Sequence, residues 1–249
     1  MDAIFLDTNS IRNEKASSFF GNIDTYQRIA NQVQIIIPTM VIEEIKRQKK
    51  RHLKSQFDKF KANYFSTYIG IDPNDELECK NHIDDRIAEL YSGANEEIPH
   101  IEYDLEEKDN LLKIKKLAIK NIAPFEKQTD KGFKDTFIYL TVLQYQETAS
   151  DDVFILTNDT RLKEAFKDDN VTVLSSVDEY YNYYREEYFK GDYFIGRIKE
   201  YTENENIEAK DILGTSISDD DDWIIKVEVE NEEINLLVDF YSKEIIETL

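Results

Sequence analysis

Four acidic residues stand where strands end or helices begin, and together they could bind a divalent cation. Asp7 follows the apolar run "AIFL", and Asp159 follows "VFIL" after a short polar step. Glu44 lies in the first turns of a predicted helix, and Asp135 stands at the start of the apolar helix "TFIYLTVL". Carboxylates crowded together raise one another's pKa, and a cation bound by oxygen ligands removes that conflict. The four acids therefore predict an Mg²⁺ or Mn²⁺ site of the kind that activates water and stabilises a phosphoryl transition state.

The elements that must position these acids belong to a predicted α/β fold. Short, wholly apolar runs alternate with helical patterns, which indicates a largely parallel sheet. Ligands of such sheets bind beyond the carboxyl ends of the strands, so Asp7 and Asp159 share one edge if their strands are neighbours. The predicted strands are 3–6, 33–38, the apolar part of 152–159, and 171–176.

Helical geometry separates Glu44 from its neighbour Glu43. The buried face of their helix is defined by Val41, Ile42 and Ile45. At about 100° per residue, Glu44 lies roughly 110° from the centre of that face, and Glu43 lies roughly 150° from it. We therefore expect Glu44 to reach the rim of the core and Glu43 to point to solvent.

The organisation of the chain changes near residue 190. The region 1–190 carries the α/β pattern, interrupted by a helical insertion at about 62–121. In the region 191–249, "WIIKVEVENEEINLLVDFY" alternates with period two on both sides of Asn231, which predicts an antiparallel hairpin. We expect an α/β domain with a parallel sheet, followed by a small acidic α+β module that contains antiparallel strands.

The charge of the chain is strongly segregated. The formal net charge is −21, the wrong sign for a general nucleic-acid binder, but residues 46–61 hold eight Lys or Arg and one Asp, and residues 108–134 hold eight Lys and three acids. These stretches are either solvated helix faces or a local surface for phosphates, and the Lys residues beside Asp135 either hold phosphate or soften its repulsion. The candidate nucleic-acid-binding residues are Lys46, Arg47, Lys49, Lys50, Arg51, Lys54, Lys131 and Lys134.

The acids and their surroundings resemble the PIN-domain nucleases. The resemblance lies in "FLDTN", "IPTMVIEEI", "KGFKDTFIYL" and "FILTNDTRL", taken in this order, and covers about 1–62 and 121–178. It implies a three-layer α/β/α domain and a metal-dependent endonuclease, with RNA as the expected substrate. It implies metal and catalytic roles for Asp7, Glu44, Asp135 and Asp159, with Asn9 and Thr157 as polar supports.

Simpler interpretations exist for the individual residues. Asp7 and Asp135 could each cap a local turn or helix, and Asn9 and Thr157 could be turn residues. The aromatic residues that follow the basic stretch could stack on bases or pack as the helix's core stripe; they are Phe57, Phe60, Tyr64 and Phe65. At the level of the whole protein, the alternatives are a catalytically silent PIN-like binding or scaffold module and a structure-specific DNA nuclease.

Several other functional classes are excluded by the sequence. A haloacid-dehalogenase-like phosphatase needs an acid two residues after Asp7, where Asn9 stands. The glycine-rich nucleotide-binding loops are absent. All three His residues fall in or beside the inserted region, which argues against a ribonuclease with a central histidine pair. Cys79 and His82 lack the second pair that a zinc site needs.

The single cysteine and the apolar patterning predict a cytoplasmic protein without membrane contact. Nucleic acid is the expected partner, and a homodimer and a protein regulator are open alternatives. A toxin, a phage-defence protein and an enzyme of RNA turnover all remain compatible with the sequence.

Overall fold

The computed structural model describes residues 1–12, 17–61, 76–98, 100–103, 108–125, 131–218, 220 and 222–249. The chain divides into two compact units, Met1–Val173 and Leu174–Leu249. The boundary near 190 that the sequence suggests falls inside the second unit, because the tyrosine-rich helix after residue 176 packs with the second unit's own sheet.

The first unit is built on a five-stranded sheet. Its strands are β1 (Ala3–Leu6), β2 (Gln34–Pro38), β3 (Ile101–Tyr103), β4 (Val153–Leu156) and β5 (Thr172–Leu174), in the order β3-β2-β1-β4-β5. The central strand β1 pairs in parallel with both β2 and β4, and Leu6 lies opposite Leu156. All residues of β1 and β4 are buried, which explains why these strands are apolar throughout rather than alternating.

Seven α-helices accompany this sheet within the described part of the first unit. They are α1 (Thr8–Ile11), α2 (Ile23–Ile29), α3 (Thr39–Lys61), α4 (Glu76–Glu97), α5 (Lys108–Lys120), α6 (Phe133–Gln146) and α7 (Thr160–Ala165). The expected insertion supplies α4 and α5, and it also supplies β3, an edge strand that the sequence pattern does not predict. Residues 62–75 and 104–107 of the insertion, including Tyr64 and Phe65, lie outside the described residues.

The second unit contains α8 (Val177–Tyr184), a π-helical turn (Arg185–Phe189), α9 (Asp192–Thr202), a 3₁₀ turn (Ala209–Asp211) and four antiparallel strands. These strands are β6 (Ile212–Ile217), β7 (Trp223–Val229), β8 (Glu232–Val238) and β9 (Ile245–Thr248), in that order across the sheet. The predicted hairpin is β7–β8, and its turn places Glu230 and Asn231 at positive φ. The predicted fold class, a parallel α/β domain followed by a small antiparallel module, is confirmed.

A cluster of aromatic side chains forms the core of the second unit. Trp223, the chain's only tryptophan, is fully buried and stacks on Phe240 at 5.5 Å between ring centroids. The ammonium group of Lys243 lies 5.1 Å from the Trp223 ring and 4.3 Å from the Phe240 ring, which is cation–π geometry. Among the described helices of the whole chain, none has both the length and the apolar character required to cross a membrane.

Candidate metal centre

Asp7 is held at the carboxyl end of β1 by two hydrogen bonds. The residue is 3% exposed, and its side chain accepts a hydrogen bond of 2.6 Å from the backbone N–H of Thr8. The hydroxyl of Thr157, which follows β4, donates to its other oxygen at 2.8 Å. Because β1 and β4 are neighbours, the residues that follow them meet at one edge of the sheet, as the strand pattern predicts.

Glu44 reaches the same region from α3. Its Oε1 accepts a hydrogen bond from Lys134 Nζ at 2.7 Å, and its Oε2 accepts one from the Thr8 hydroxyl at 3.1 Å. The Glu44 side chain is 20% exposed, whereas the Glu43 side chain is 59% exposed and pairs with Lys46 at 2.9 Å. The two adjacent glutamates therefore lie on different sides of the helix.

Asp159 begins α7. Its Oδ1 accepts hydrogen bonds from the backbone N–H groups of Arg161 at 2.8 Å and Leu162 at 2.9 Å, so it is the N-cap of the helix. The backbone N–H of Asp159 donates to the Thr157 hydroxyl oxygen at 3.0 Å. Thr157 thus connects Asp7 to the segment that carries Asp159.

Asp135 lies in the first turn of α6, and a glycine fixes where that helix begins. Gly132 has a φ of +100°, and a Cβ at this position would lie 2.3 Å from the carbonyl oxygen of Pro124. Only glycine fits there, because any side chain would collide with backbone atoms. Asp135 accepts no hydrogen bond from any residue that the structure describes.

The carboxylates are close enough to change one another's protonation. Burial first, and then the charges of Asp159, Asp7 and Glu44, raise the pKa of Asp135 to about 6. Burial, with a smaller effect of the neighbouring acids, also raises the pKa of Asp7. Burial alone would raise the pKa of Glu44, but the hydrogen bond and charge of Lys134, together with hydrogen bonds from Thr8 and Gln48, lower that pKa. The four acids therefore form one electrostatic group.

This donor set fits a hard divalent cation. It offers only carboxylate oxygens, and Asp135 is a partly buried carboxylate that no donor among the described residues contacts by a hydrogen bond. Within the described parts of the chain, however, no three His, Cys, Asp or Glu side chains are arranged so that they could hold a metal ion. Both oxygens of Asp7 and both oxygens of Glu44 accept hydrogen bonds from protein donors.

A cleft of about 490 Å³ opens beside three of these acids. Lys131, a predicted phosphate contact, lies on its wall, and so does Arg161, which the sequence analysis missed. The guanidinium group of Arg161 donates to the carbonyl oxygen of Phe125 at 2.8 Å. The lining residues are Glu44, Pro124, Lys131, Gly132, Phe133, Lys134, Asp135, Asp159 and Arg161.

Some predicted site residues lie elsewhere. Asn9 is exposed and forms no hydrogen bond with the acids within the described part of the chain, whereas Thr8, one position earlier, contacts Asp7 and Glu44 by hydrogen bonds. Lys49 is only 3% exposed and donates to the carbonyl oxygen of Ser18 at 2.7 Å, so it does not reach the surface. A hydroxyl residue directly after Asp7 was the available signal for Thr8, whereas the burial of Lys49 depends on a segment far away in the sequence.

The other predicted basic residues of α3 remain at or near the surface. Arg47, Lys50, Arg51 and Lys54 are exposed, and Lys46 is partly exposed. A groove of about 630 Å³ lies between α3 and α4, and Glu43, Lys46, Arg47 and Lys50 line its α3 side.

The part of the chain that carries the four acids matches a known protein family. A family model described as PIN domain matches residues 4–162, which is more than half of the chain. The chain belongs to the PIN-domain family. PIN domains are generally nucleases that use divalent metal ions, and the matched range includes all four acids. Neither the curated proteins nor the solved structures contain a match to this chain.

Proposed function

We propose that this PIN-domain protein is a divalent-metal-dependent endonuclease that hydrolyses RNA. The observation that carries the proposal is the group of four acids at one end of the parallel sheet, in which Asp135 accepts a hydrogen bond from none of the described residues. Such a group is costly in a protein unless a cation neutralises it. RNA is preferred over DNA because the sequence lacks the DNA-gripping helical motif of the flap endonucleases.

In this proposal Asp7, Glu44, Asp135 and Asp159 would hold Mg²⁺ or Mn²⁺. When bound, the cation would lower the pKa of water and offset the charge of the phosphate. Thr157 donates to Asp7 and Thr8 donates to Glu44, so both carboxylates keep their directions. Lys131 and Arg161, on the cleft wall, would contact the phosphate. Water attacks phosphorus and loses a proton, the bond between phosphorus and the 3′-oxygen breaks, and the 3′-oxygen takes up a proton to become the 3′-hydroxyl.

The expected products have 5′-phosphate and 3′-hydroxyl ends, because water rather than the 2′-hydroxyl is the nucleophile. We expect the purified full-length chain to cleave single-stranded RNA with Mg²⁺ or Mn²⁺ and to lose this activity in EDTA. End-labelled substrates and mass spectrometry of the products test both points, and a DNA strand of the same sequence is the matched control.

Each alternative has its own outcome in this experiment. Full activity in EDTA, or products that end in a 2′,3′-cyclic phosphate, would contradict the proposal. Cleavage of branched DNA alone would favour the structure-specific DNA nuclease. RNA binding without cleavage under any metal condition would favour the silent binding or scaffold module. The homodimer and the protein regulator stay predictions.

We also propose that the exposed basic residues of α3 guide RNA toward the acids. Arg47, Arg51 and Lys54 form no ion pair within the described residues, whereas Lys50 is paired with Asp84. Their charges are therefore available to phosphates. Arg47 and Arg51 follow Glu44 by three and seven residues on α3, so they lie on the same side of that helix as Glu44, and a strand lying along that side would lead to the cleft.

Replacing Arg51 and Lys54 by Ala should weaken RNA binding and reduce its salt dependence. For single strands the slope of log K against log salt changes by about 0.7 per phosphate contact, so the double variant should lose about 1.4 from the slope. Fluorescence anisotropy over a salt series measures both quantities. The control removes two exposed lysines from α5, Lys113 and Lys116, and should leave the slope unchanged. An equal loss in the control would show that only net charge matters.

A further inference from the structure

One ammonium group lies inside the acidic cluster and is held by a cluster member. Lys134 and Glu44 are 90 residues apart in the sequence, and their side chains are 35% and 20% exposed. Their distance of 2.7 Å is that of a charge-assisted hydrogen bond. The pair joins the first turn of α6 to the second turn of α3, so it bridges two of the elements that carry the acids.

The surroundings direct Lys134 toward Glu44 rather than toward solvent. Gly132 fixes the beginning of α6 against the backbone of Pro124 and Phe125. The hydroxyl of Thr136 donates to the carbonyl oxygen of Gly132 at 2.8 Å and reinforces the first turn. From the other side, the Thr8 hydroxyl fixes Glu44 Oε2 and leaves Oε1 for the ammonium group.

We propose that the Lys134 ammonium neutralises part of the acidic cluster in the metal-free protein. Glu44 then becomes a ligand of a divalent cation only when the Lys134 ammonium is displaced from it. This proposal rests on the metal site put forward above. It explains why four acids can approach one another while no three of the described acidic, His or Cys side chains are arranged to hold a metal ion. It also gives Lys134 two successive positions, on Glu44 without metal and released toward the cleft with metal.

The displacement has a measurable effect on metal affinity. A site that is competent in only a fraction of the molecules binds its ligand more weakly by that fraction. If the Lys134–Glu44 pair is open in about a tenth of the molecules, its removal should tighten cation binding about tenfold. Lys134→Met keeps the aliphatic length and removes the charge, whereas Lys134→Arg keeps the charge and the competition.

The experiment is a calorimetric titration of the full-length protein with Mn²⁺, without nucleic acid. We expect Lys134→Met to bind Mn²⁺ about tenfold more tightly than the unaltered chain and Lys134→Arg no more tightly. The matched control is Lys46→Met, which removes the neighbouring Lys46–Glu43 pair of 2.9 Å from the same helix and should leave Mn²⁺ affinity unchanged. The melting temperature of the metal-free Lys134→Met protein should fall, because the acids lose their counter-charge.

The outcomes separate this inference from the proposed function. If the unaltered chain binds no Mn²⁺, the metal site itself is wrong. If it binds Mn²⁺ and Lys134→Met binds no more tightly, only the role of Lys134 is overturned. An equal gain in Lys46→Met would reduce the effect to net charge, and a lower melting temperature without tighter Mn²⁺ binding would make Lys134 merely structural.

Discussion

Asp135→Asn is expected to lower the rate of RNA cleavage about 1000-fold or more. The same change is expected to make the metal-free protein more stable at pH 7. Asn keeps the shape of the side chain and removes the charge that the other three acids repel. Because Asp135 accepts no hydrogen bond from a described residue, no donor is left unpaired by the change.

The pH dependence of this difference follows from the raised pKa. In the folded, metal-free chain the pKa of Asp135 is about 6, above the usual value of 3.8. The folded state therefore binds the Asp135 proton more tightly than the unfolded state does. The contribution of this group to the free energy of unfolding is fully present below about pH 4, and it is lost as the pH rises through about 6. After allowance for solvent screening, the free energy of unfolding of the Asp135→Asn protein should exceed that of the unaltered chain by about 2 kcal/mol at pH 7. Near pH 4 the two should not differ.

Urea unfolding of both proteins in EDTA, followed by circular dichroism between pH 4 and pH 7, measures this gain. Addition of Mn²⁺ should reverse the order of stability, because only the unaltered chain binds the cation well. If Asp135→Asn is less stable than the unaltered chain in EDTA at pH 7, Asp135 has a structural role and the acids are not a strained metal site.

Glu44→Gln is expected to lower the cleavage rate about 100-fold or more, whereas Glu43→Gln should change it by no more than about twofold. The two substitutions are chemically identical and lie one residue apart. Glu44 accepts hydrogen bonds from Lys134 and Thr8 at the cleft, whereas Glu43 pairs with Lys46 on a different side of α3.

Single-turnover cleavage, with saturating metal and with enzyme in excess over the RNA, compares these two variants directly. Circular dichroism checks that both are folded, and RNA affinity in EDTA checks that substrate binding is retained. A larger loss in Glu43→Gln than in Glu44→Gln would overturn the assignment of Glu44 to the metal centre.

The sheet and the meeting of the acids were predictable because they depend on local signals. Buried parallel strands are apolar throughout, and a change to polar residues marks their carboxyl ends, so Asp7 and Asp159 were found from "AIFL" and "VFIL". Strand β3 was missed because its three residues are too few to show a period. In β6, Gly214 and Ser216 weaken the alternation that revealed the β7–β8 hairpin.

The details of the site depend on contacts between distant segments, which a single sequence does not reveal. The spacing of Lys134 beside Asp135 is equally compatible with a phosphate contact and with a pair to Glu44, 90 residues away. Lys49 has the same pattern as its basic neighbours, and only the position of Ser18 makes it an interior residue. Thr8 and Thr157 differ in this respect, because each lies next to an acid-bearing strand end.

The position of Trp223 allows the unfolding of one unit to be followed separately by fluorescence. The second unit contains the only tryptophan of the sequence, which is fully buried among aromatic rings and lies beside the ammonium of Lys243. Tryptophan fluorescence, excited selectively, therefore reports the melting of that unit alone. The acids lie in the other unit. A cation bound there shifts the fluorescence transition only if both units melt as one cooperative block, and leaves it in place if they melt separately. Thermal melting followed by tryptophan fluorescence at increasing Mn²⁺ concentrations thus shows whether the two units unfold together or separately, without any added label.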